Sequence, residues 1–233
     1  MDVTIKKLTH ENIYTKKYSN KDINIVKVYD IFNASTLNQL IHDYSNNGFA
    51  IFELMDMEVN QETLKQFTDS LGLGAAYIPS TYNNKSFYSK KGFNLITKNK
   101  HDQSHKAFNT SSEQELHSDG TLEPIGFIKT SLLFCESQGL SGGENTLFNS
   151  VGAFYDMLIN CSNIGWSMLN DSSLRRYSYI NNDQNIGPTF SIKENQIISR
   201  FSLDNTSDWN YGFENVPNLE KAYSFLQGLI YEG

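Results

Sequence analysis

Cysteine is scarce in this 233-residue chain: there are two, Cys135 and Cys161, and neither sits in a Cys-x-x-Cys pair. A disulfide framework and a cysteine-based zinc site are therefore excluded as organising principles. Cys135 follows the apolar run Leu132-Leu133-Phe134 and is expected to behave as a small buried hydrophobe. Proline is scarce too, with four residues, and no Pro-, Gly- or Ser-rich linker divides the chain. No apolar run reaches the roughly 18 residues of a membrane span. The N-terminus, Met-Asp-Val-Thr-Ile-Lys-Lys, lacks the apolar centre of a secretory signal. A cytoplasmic setting is the expectation, with no membrane partner. Basic runs are missing beyond pairs such as Lys16-Lys17 and Lys90-Lys91, and the formal net charge is −7. Such a surface repels phosphate backbones, which argues against nucleic acid as a partner. No Gly-rich segment matches a dinucleotide or phosphate loop.

What remains is an ordinary globular composition, 39% hydrophobic and 19% charged, with 13 Tyr and 15 Phe. A chain of this length buries a core without staples. The expectation is one domain over residues 1–233, mainly β with helices packed outside. Residues 1–22 are a polar arm. Ile23–Tyr29 alternates as a strand. Leu37, Leu40, Ile41 and Tyr44 mark a helix over 36–46, with Asn33 or Ser35 as its cap and Asn46-Asn47-Gly48 as its stop. Phe49–Leu54 is a strand, and 60–71 a helix with Leu64, Phe67, Ser70 and Leu71 inward. The Asn-, Lys- and Ser-rich stretch from 75 to 110 holds one strand candidate at Phe93–Thr97 and otherwise has the length of a lid or substrate loop. Strands are expected at Leu116–Gly120, Ile128–Cys135, Asn145–Phe148, Arg175–Ile180, Thr189–Ile192 and Gln196–Ser202. Helices are expected at 150–161, with Phe154, Met157, Leu158 and Cys161 inward, and at Leu219–Leu229 after Pro217-Asn218.

The segment Glu115-Leu116-His117-Ser118-Asp119-Gly120 carries the most suggestive chemistry. In extended backbone His117 and Asp119 share a face, about 6–7 Å apart along the chain. An imidazole nitrogen and a carboxylate oxygen so placed suit Fe(II), Mn(II) or Zn(II). A surface His–Asp hydrogen bond, or a metal-free acid–base pair, fits the same spacing. Gly120 permits a turn or the close approach of another group. A third donor is not evident. His10 lies in the polar arm, His42 on the exposed side of a helix, and His101 and His105 in the polar loop. No histidine follows His117.

Two motifs together resemble the taurine dioxygenase superfamily of Fe(II)/2-oxoglutarate-dependent oxygenases, which includes the clavaminate-synthase-like enzymes. Leu116-His117-Ser118-Asp119-Gly120 is similar to the family's His-x-Asp/Glu iron motif. Gly142-Gly143-Glu144-Asn145-Thr146, with Thr146 lying 29 residues after His117, is similar to its Gly-Gly-Asp/Glu-(x)-Thr segment. Asn47–Phe52 and Leu71-Gly72 also resemble family features. The resemblance implies a distorted double-stranded β-helix, or jelly roll. It implies Fe(II) on His117 and Asp119, 2-oxoglutarate as cosubstrate with a carboxylate contacted by Thr146, and O2 plus a small polar substrate, such as an amino acid or natural-product intermediate.

The family's distal histidine and its 2-oxoglutarate arginine have no counterpart, so the expectation is a natural chain that continues past Gly233 with its last strands. A short form acting as a binding or partner-subunit protein is the alternative, and a homo-oligomer stays open. Arg200 is the candidate for a substrate carboxylate, against a plain salt bridge. Arg175 and Arg176 receive no role.

Overall fold

The computed structural model describes residues 15, 23–78, 92–93, 96, 113–178 and 182–231. The polar arm and most of the 75–110 loop, including the bulk of the Phe93–Thr97 strand candidate, His101 and His105, lie outside the described residues. The chain divides into two compact units, one spanning Lys16–Leu95 with Leu132–Gly139, the other comprising Met1–Thr15, Ile96–Ser131 and Leu140–Gly233.

The Lys16–Leu95 unit is a β-α-β turn of chain with one further helix. Strand β1 (Ile25–Val28) pairs in parallel with β2 (Ile51–Leu54), Ile25 opposite Ile51 and Val28 opposite Leu54. A parallel pair needs a crossover, and α1 (Ala34–Asn47) supplies it. Asn33 caps α1 by accepting from the Thr36 N–H at 3.0 Å. Gly48 ends it at φ +81°, its N–H bonded to the Tyr44 carbonyl at 2.8 Å. Asn60 caps α2 (Gln61–Ser70) in the same way. Val26, Val28, Ile31, Leu37, Leu40 and Phe67 are buried together, with Phe52 edge-on to Phe67 at 4.9 Å between ring centroids. The buried stripe of α1 is narrower than its periodicity suggests, since Ile41 and Tyr44 are exposed. His42 is exposed, as expected.

The larger unit is organised around aromatic rings. Helix α3 (Ser150–Asn160) buries Phe154, Tyr155, Met157 and Leu158. A short helix α4 (Ser162–Gly165) and a 3-10 turn (Trp166–Leu169) lead to β3 (Leu174–Tyr177). Strand β3 is the centre of a three-stranded antiparallel sheet, flanked by β4 (Gln184–Gly187) and β7 (Ser207–Asp208). Strands β5 (Phe190–Lys193) and β6 (Gln196–Ser199) form a hairpin. Its two turn residues, Glu194 and Asn195, take φ of 51° and 60°, as a tight turn matched to strand twist requires. Helices α5 (Trp209–Asn215) and α6 (Leu219–Tyr231) close the unit. Phe154 stacks on Phe190 at 4.2 Å, and the ring contacts continue through Phe201 and Trp209 to Tyr223. Gly212 is obligatory at its place in α5: a Cβ there would lie 2.3 Å from the Ser173 carbonyl oxygen.

The result is a mixed α/β arrangement of small sheets with flanking helices. Among the described residues no sheet closes into a barrel. Three stretches expected as strands, at 116–120, 128–135 and 145–148, form no ladder, and bends fall at Leu116 and Asp119. They alternate or run apolar as strands do, but no partner strand pairs with them among the described residues. For the same reason Cys135, expected to be buried, is exposed. Both cysteines are free. Helices α4 and α5 and strands β4 and β7 are short elements that were not expected from the sequence. Among the described residues no helix is long and apolar enough to cross a membrane.

Candidate metal centre

The Glu115–Gly120 segment keeps its period of two without being part of a ladder. Leu116 is half-buried against the aromatic core, while His117 and Asp119 stand outward on the same side. Hydrogen bonds hold the segment to the body of the unit. The Leu203 N–H donates to the Leu116 carbonyl at 2.7 Å. The Ser118 N–H donates to Ser202 Oγ at 3.0 Å. The Ser118 carbonyl accepts from Arg176 Nη1 at 2.8 Å. Gly120, at φ +83°, then turns the chain toward Glu123, and a Cβ there would lie 2.8 Å from Ile128 Cγ1. The turn and the close approach both require glycine.

His117 Nδ1 lies 2.8 Å from the Glu115 carbonyl oxygen. A carbonyl only accepts, so Nδ1 is the donor and Nε2 is the ring nitrogen turned toward Asp119. That nitrogen is 3.9 Å from Asp119 Oδ1. Two donors at about 2.1 Å from one ion can stand up to roughly 4.2 Å apart, so one cation reaches both. Asp119 Oδ2 is engaged by the Ser131 hydroxyl, which leaves Oδ1 as the oxygen facing the imidazole. Both side chains are partly open to solvent, at 32% and 54% exposure, so a cation can enter. An imidazole whose Nδ1 is engaged by a backbone carbonyl, beside a carboxylate, fits a borderline divalent ion such as Fe(II). Among the described residues no group of three or more His, Cys, Asp or Glu side chains converges, so this part of the chain supplies two donors.

Thr146 lies exposed on the extended stretch before α3, after Gly142 and Gly143, whose φ values are 77° and 86°. Arg200 is buried. It donates to the side chain and carbonyl of Asn185 and to the Leu174 carbonyl, and its Nε has no acceptor among the described residues. Burial, and then the nearby Arg176 guanidinium, pull its pKa down to about 10, so it stays charged at neutral pH. The salt bridge weighed for Arg200 is not among these contacts.

The residue that sequence reading passed over is Arg176, which is wholly buried. Besides the Ser118 carbonyl it reaches Thr206 Oγ1 at 2.9 Å, and Asp204 Oδ1 and Thr121 Oγ1 at 3.5 Å each. Burial draws its pKa below the ordinary arginine range, and the Asp204 and Asp119 carboxylates oppose that. Its signal in the sequence is its phase. On β3 it alternates with Arg175 and shares the inward face of Leu174.

In chain order, the imidazole–carboxylate pair of His117 and Asp119 is followed by the Gly142-Gly143 turn and Thr146. The chain belongs to the family described as "Taurine catabolism dioxygenase TauD, TfdA family", whose profile matches residues 4–158. Two curated relatives are named uridine-5'-phosphate dioxygenase. One, from Amycolatopsis sp, is 28% identical over 210 residues, covering 89% of this chain and 76% of the relative. The other, from Streptomyces sp, is 29% identical over 144 residues, covering 60% of this chain and 51% of the relative. No solved structure matches the chain.

Proposed function

We propose that this chain is, or is part of, an Fe(II)- and 2-oxoglutarate-dependent dioxygenase that hydroxylates or otherwise oxidises a small polar substrate. The observation that carries the proposal is the His117 Nε2–Asp119 Oδ1 pair, 3.9 Å apart with His117 Nδ1 engaged by the Glu115 carbonyl, in a chain of this family.

In this reading His117 holds the iron through Nε2 and Asp119 through Oδ1, with Ser131 steadying the second carboxylate oxygen. The third protein ligand comes from outside the described residues. Bound Fe(II), with 2-oxoglutarate and O2, supplies oxidative decarboxylation and a hydrogen-abstracting oxidant; the protein positions the target carbon and excludes stray water. Thr146 donates its hydroxyl to a 2-oxoglutarate carboxylate. Arg200, with one unsatisfied N–H, is assigned to an anionic group of the substrate. The stretch over 75–110 is the substrate loop. Residues 1–233 belong to a single cytoplasmic domain of the distorted double-stranded β-helix type, and self-association is open to test. The names of the two relatives make uridine-5'-phosphate the first substrate to try, ahead of amino acids.

The test loads the protein anaerobically with Fe(II) and measures succinate formed from 2-oxoglutarate under O2, with and without substrate. His117→Ala and Asp119→Ala are expected to lower it at least 100-fold while shifting the melting midpoint little, since both side chains are exposed. Full succinate formation by either variant removes the ligand assignment. No succinate from the wild type leaves the binding or partner-subunit reading.

A further inference from the structure

Arg176 is an unusual residue to find at complete burial. An uncompensated guanidinium in the interior is costly, and an apolar residue of similar volume is often as good or better for stability. One carboxylate, Asp204, faces it at 3.5 Å, and that carboxylate oxygen also accepts from Thr206 Oγ1 at 2.7 Å and Ser207 Oγ at 3.2 Å. The guanidinium is thus braced from the 204–206 side. Its free arm, Nη1, reaches out to a single acceptor, the Ser118 carbonyl.

That carbonyl belongs to the peptide joining Ser118 to Asp119. The Leu116 carbonyl and the Ser118 N–H and carbonyl all face Arg176 and Ser202-Leu203. The bonds from Leu203 to Leu116 and from Ser202 to Ser118 therefore fix the segment up to the Ser118 N–H. Beyond that point no ladder continues, and Gly120 opens the turn. The Arg176 bond restrains the last peptide before Asp119, while the Ser131 hydroxyl holds the far oxygen of the carboxylate itself. Together the two contacts set the direction in which the carboxylate projects relative to His117.

We infer that Arg176 is a positioning residue for the metal centre: by clamping the Ser118 carbonyl it holds Asp119 Oδ1 within one ion's reach of His117 Nε2. This inference rests on the metal-ligand reading of His117 and Asp119. Outer-shell groups of this kind set metal affinity without touching the metal.

The experiment is an anaerobic Co(II) titration of the full chain, followed by visible ligand-field absorption. It compares wild type, His117→Ala, Arg176→Gln and Arg175→Gln, with circular dichroism melting on each. Arg175 is the control because it sits next door on β3 and pairs with Asp208, on the other face. The expected result is Co(II) affinity about 10–100-fold weaker in R176Q, with an altered absorption envelope, and unchanged in R175Q. Wild type that binds no Co(II), or H117A that binds like wild type, overturns the ligand reading and the inference with it. Loss of binding in H117A together with wild-type affinity in R176Q overturns the inference alone, as does equal weakening in R175Q. Should R176Q fail to fold, Thr206→Val removes the 2.9 Å brace on the guanidinium and is expected to weaken Co(II) about threefold. Wild-type affinity in T206V then overturns the inference.

Discussion

Between Ser150 and Tyr231 the chain is held by packing: stacked rings, two small sheets and helices whose apolar faces meet. Between Glu113 and Ser131, in the same compact unit, there is no ladder and little burial, and the chain is held by a few directed hydrogen bonds to the first region. The first region is fold; the second carries the candidate ligands. Packing is redundant, so the loss of one contact is shared among neighbours. A hydrogen-bonded tether is not redundant, and its loss moves the group it holds. A ligand pair placed by tethers can also be open to solvent, as a site that admits an ion must be.

Three changes sharpen this contrast. The largest effect is expected from Phe190→Ala, which removes the ring between Phe154 and Phe201 in the fully buried core. A loss of about 3–5 kcal/mol is expected, read as a lower denaturation midpoint in urea. A cost comparable to that of an exposed site would mean that the ring stack does not organise the unit. Ser202→Ala comes next. It leaves the Ser118 N–H without its acceptor, at a cost of about 1–3 kcal/mol. Hydrogen exchange is the check: the Ser118 amide should lose protection while amides of α3 keep theirs. Parallel loss in α3 would show that the two regions are one cooperative element.

The smallest effect belongs to Asp208, the cap of α5 and the partner of Arg175. Burial pushes its pKa up, but Arg175 and the Tyr211 N–H pull it down further, and the net position is below the ordinary aspartate value. The folded state therefore binds fewer protons here than the unfolded chain. The contribution is fully present above the usual pKa of about 3.9, and it fades as pH falls through the lowered folded-state value. In Asp208→Asn the cap survives and the charge does not. The gap in melting midpoint between wild type and variant should narrow below about pH 4. A gap that widens there would reverse the assignment.

The helices were the easiest part to read. Asn33, Gly48 and Asn60 act as the caps and stop that their residue types suggest, because capping is local chemistry. The strands between Leu116 and Phe148 were over-read, whereas those at 23–29 and 49–54 form β1 and β2. Leu132-Leu133-Phe134 has the composition of a strand, yet a strand needs a partner, and composition does not say where that partner is. The site was half legible. His117 and Asp119 announce themselves by spacing, and the alternation of Leu116, His117, Ser118 and Asp119 survives in the structure. Arg176 did not, since a buried arginine far along the chain looks like any surface charge until β3 is given an inward face.

By itself the sequence determined the family, the Asn33 cap and Gly48 stop of α1, most of the inward face of α3, and the spacing that makes His117 and Asp119 candidate ligands. Each of these depends on residue type over a few neighbouring positions. Only the tertiary structure decided which nitrogen of His117 is turned toward Asp119, which oxygen of Asp119 faces it, and that Arg176, 58 residues from Ser118, grips the peptide between them. Those outcomes depend on groups distant in sequence arriving at one place. The packing of the aromatic core brings them there, and no local pattern encodes it.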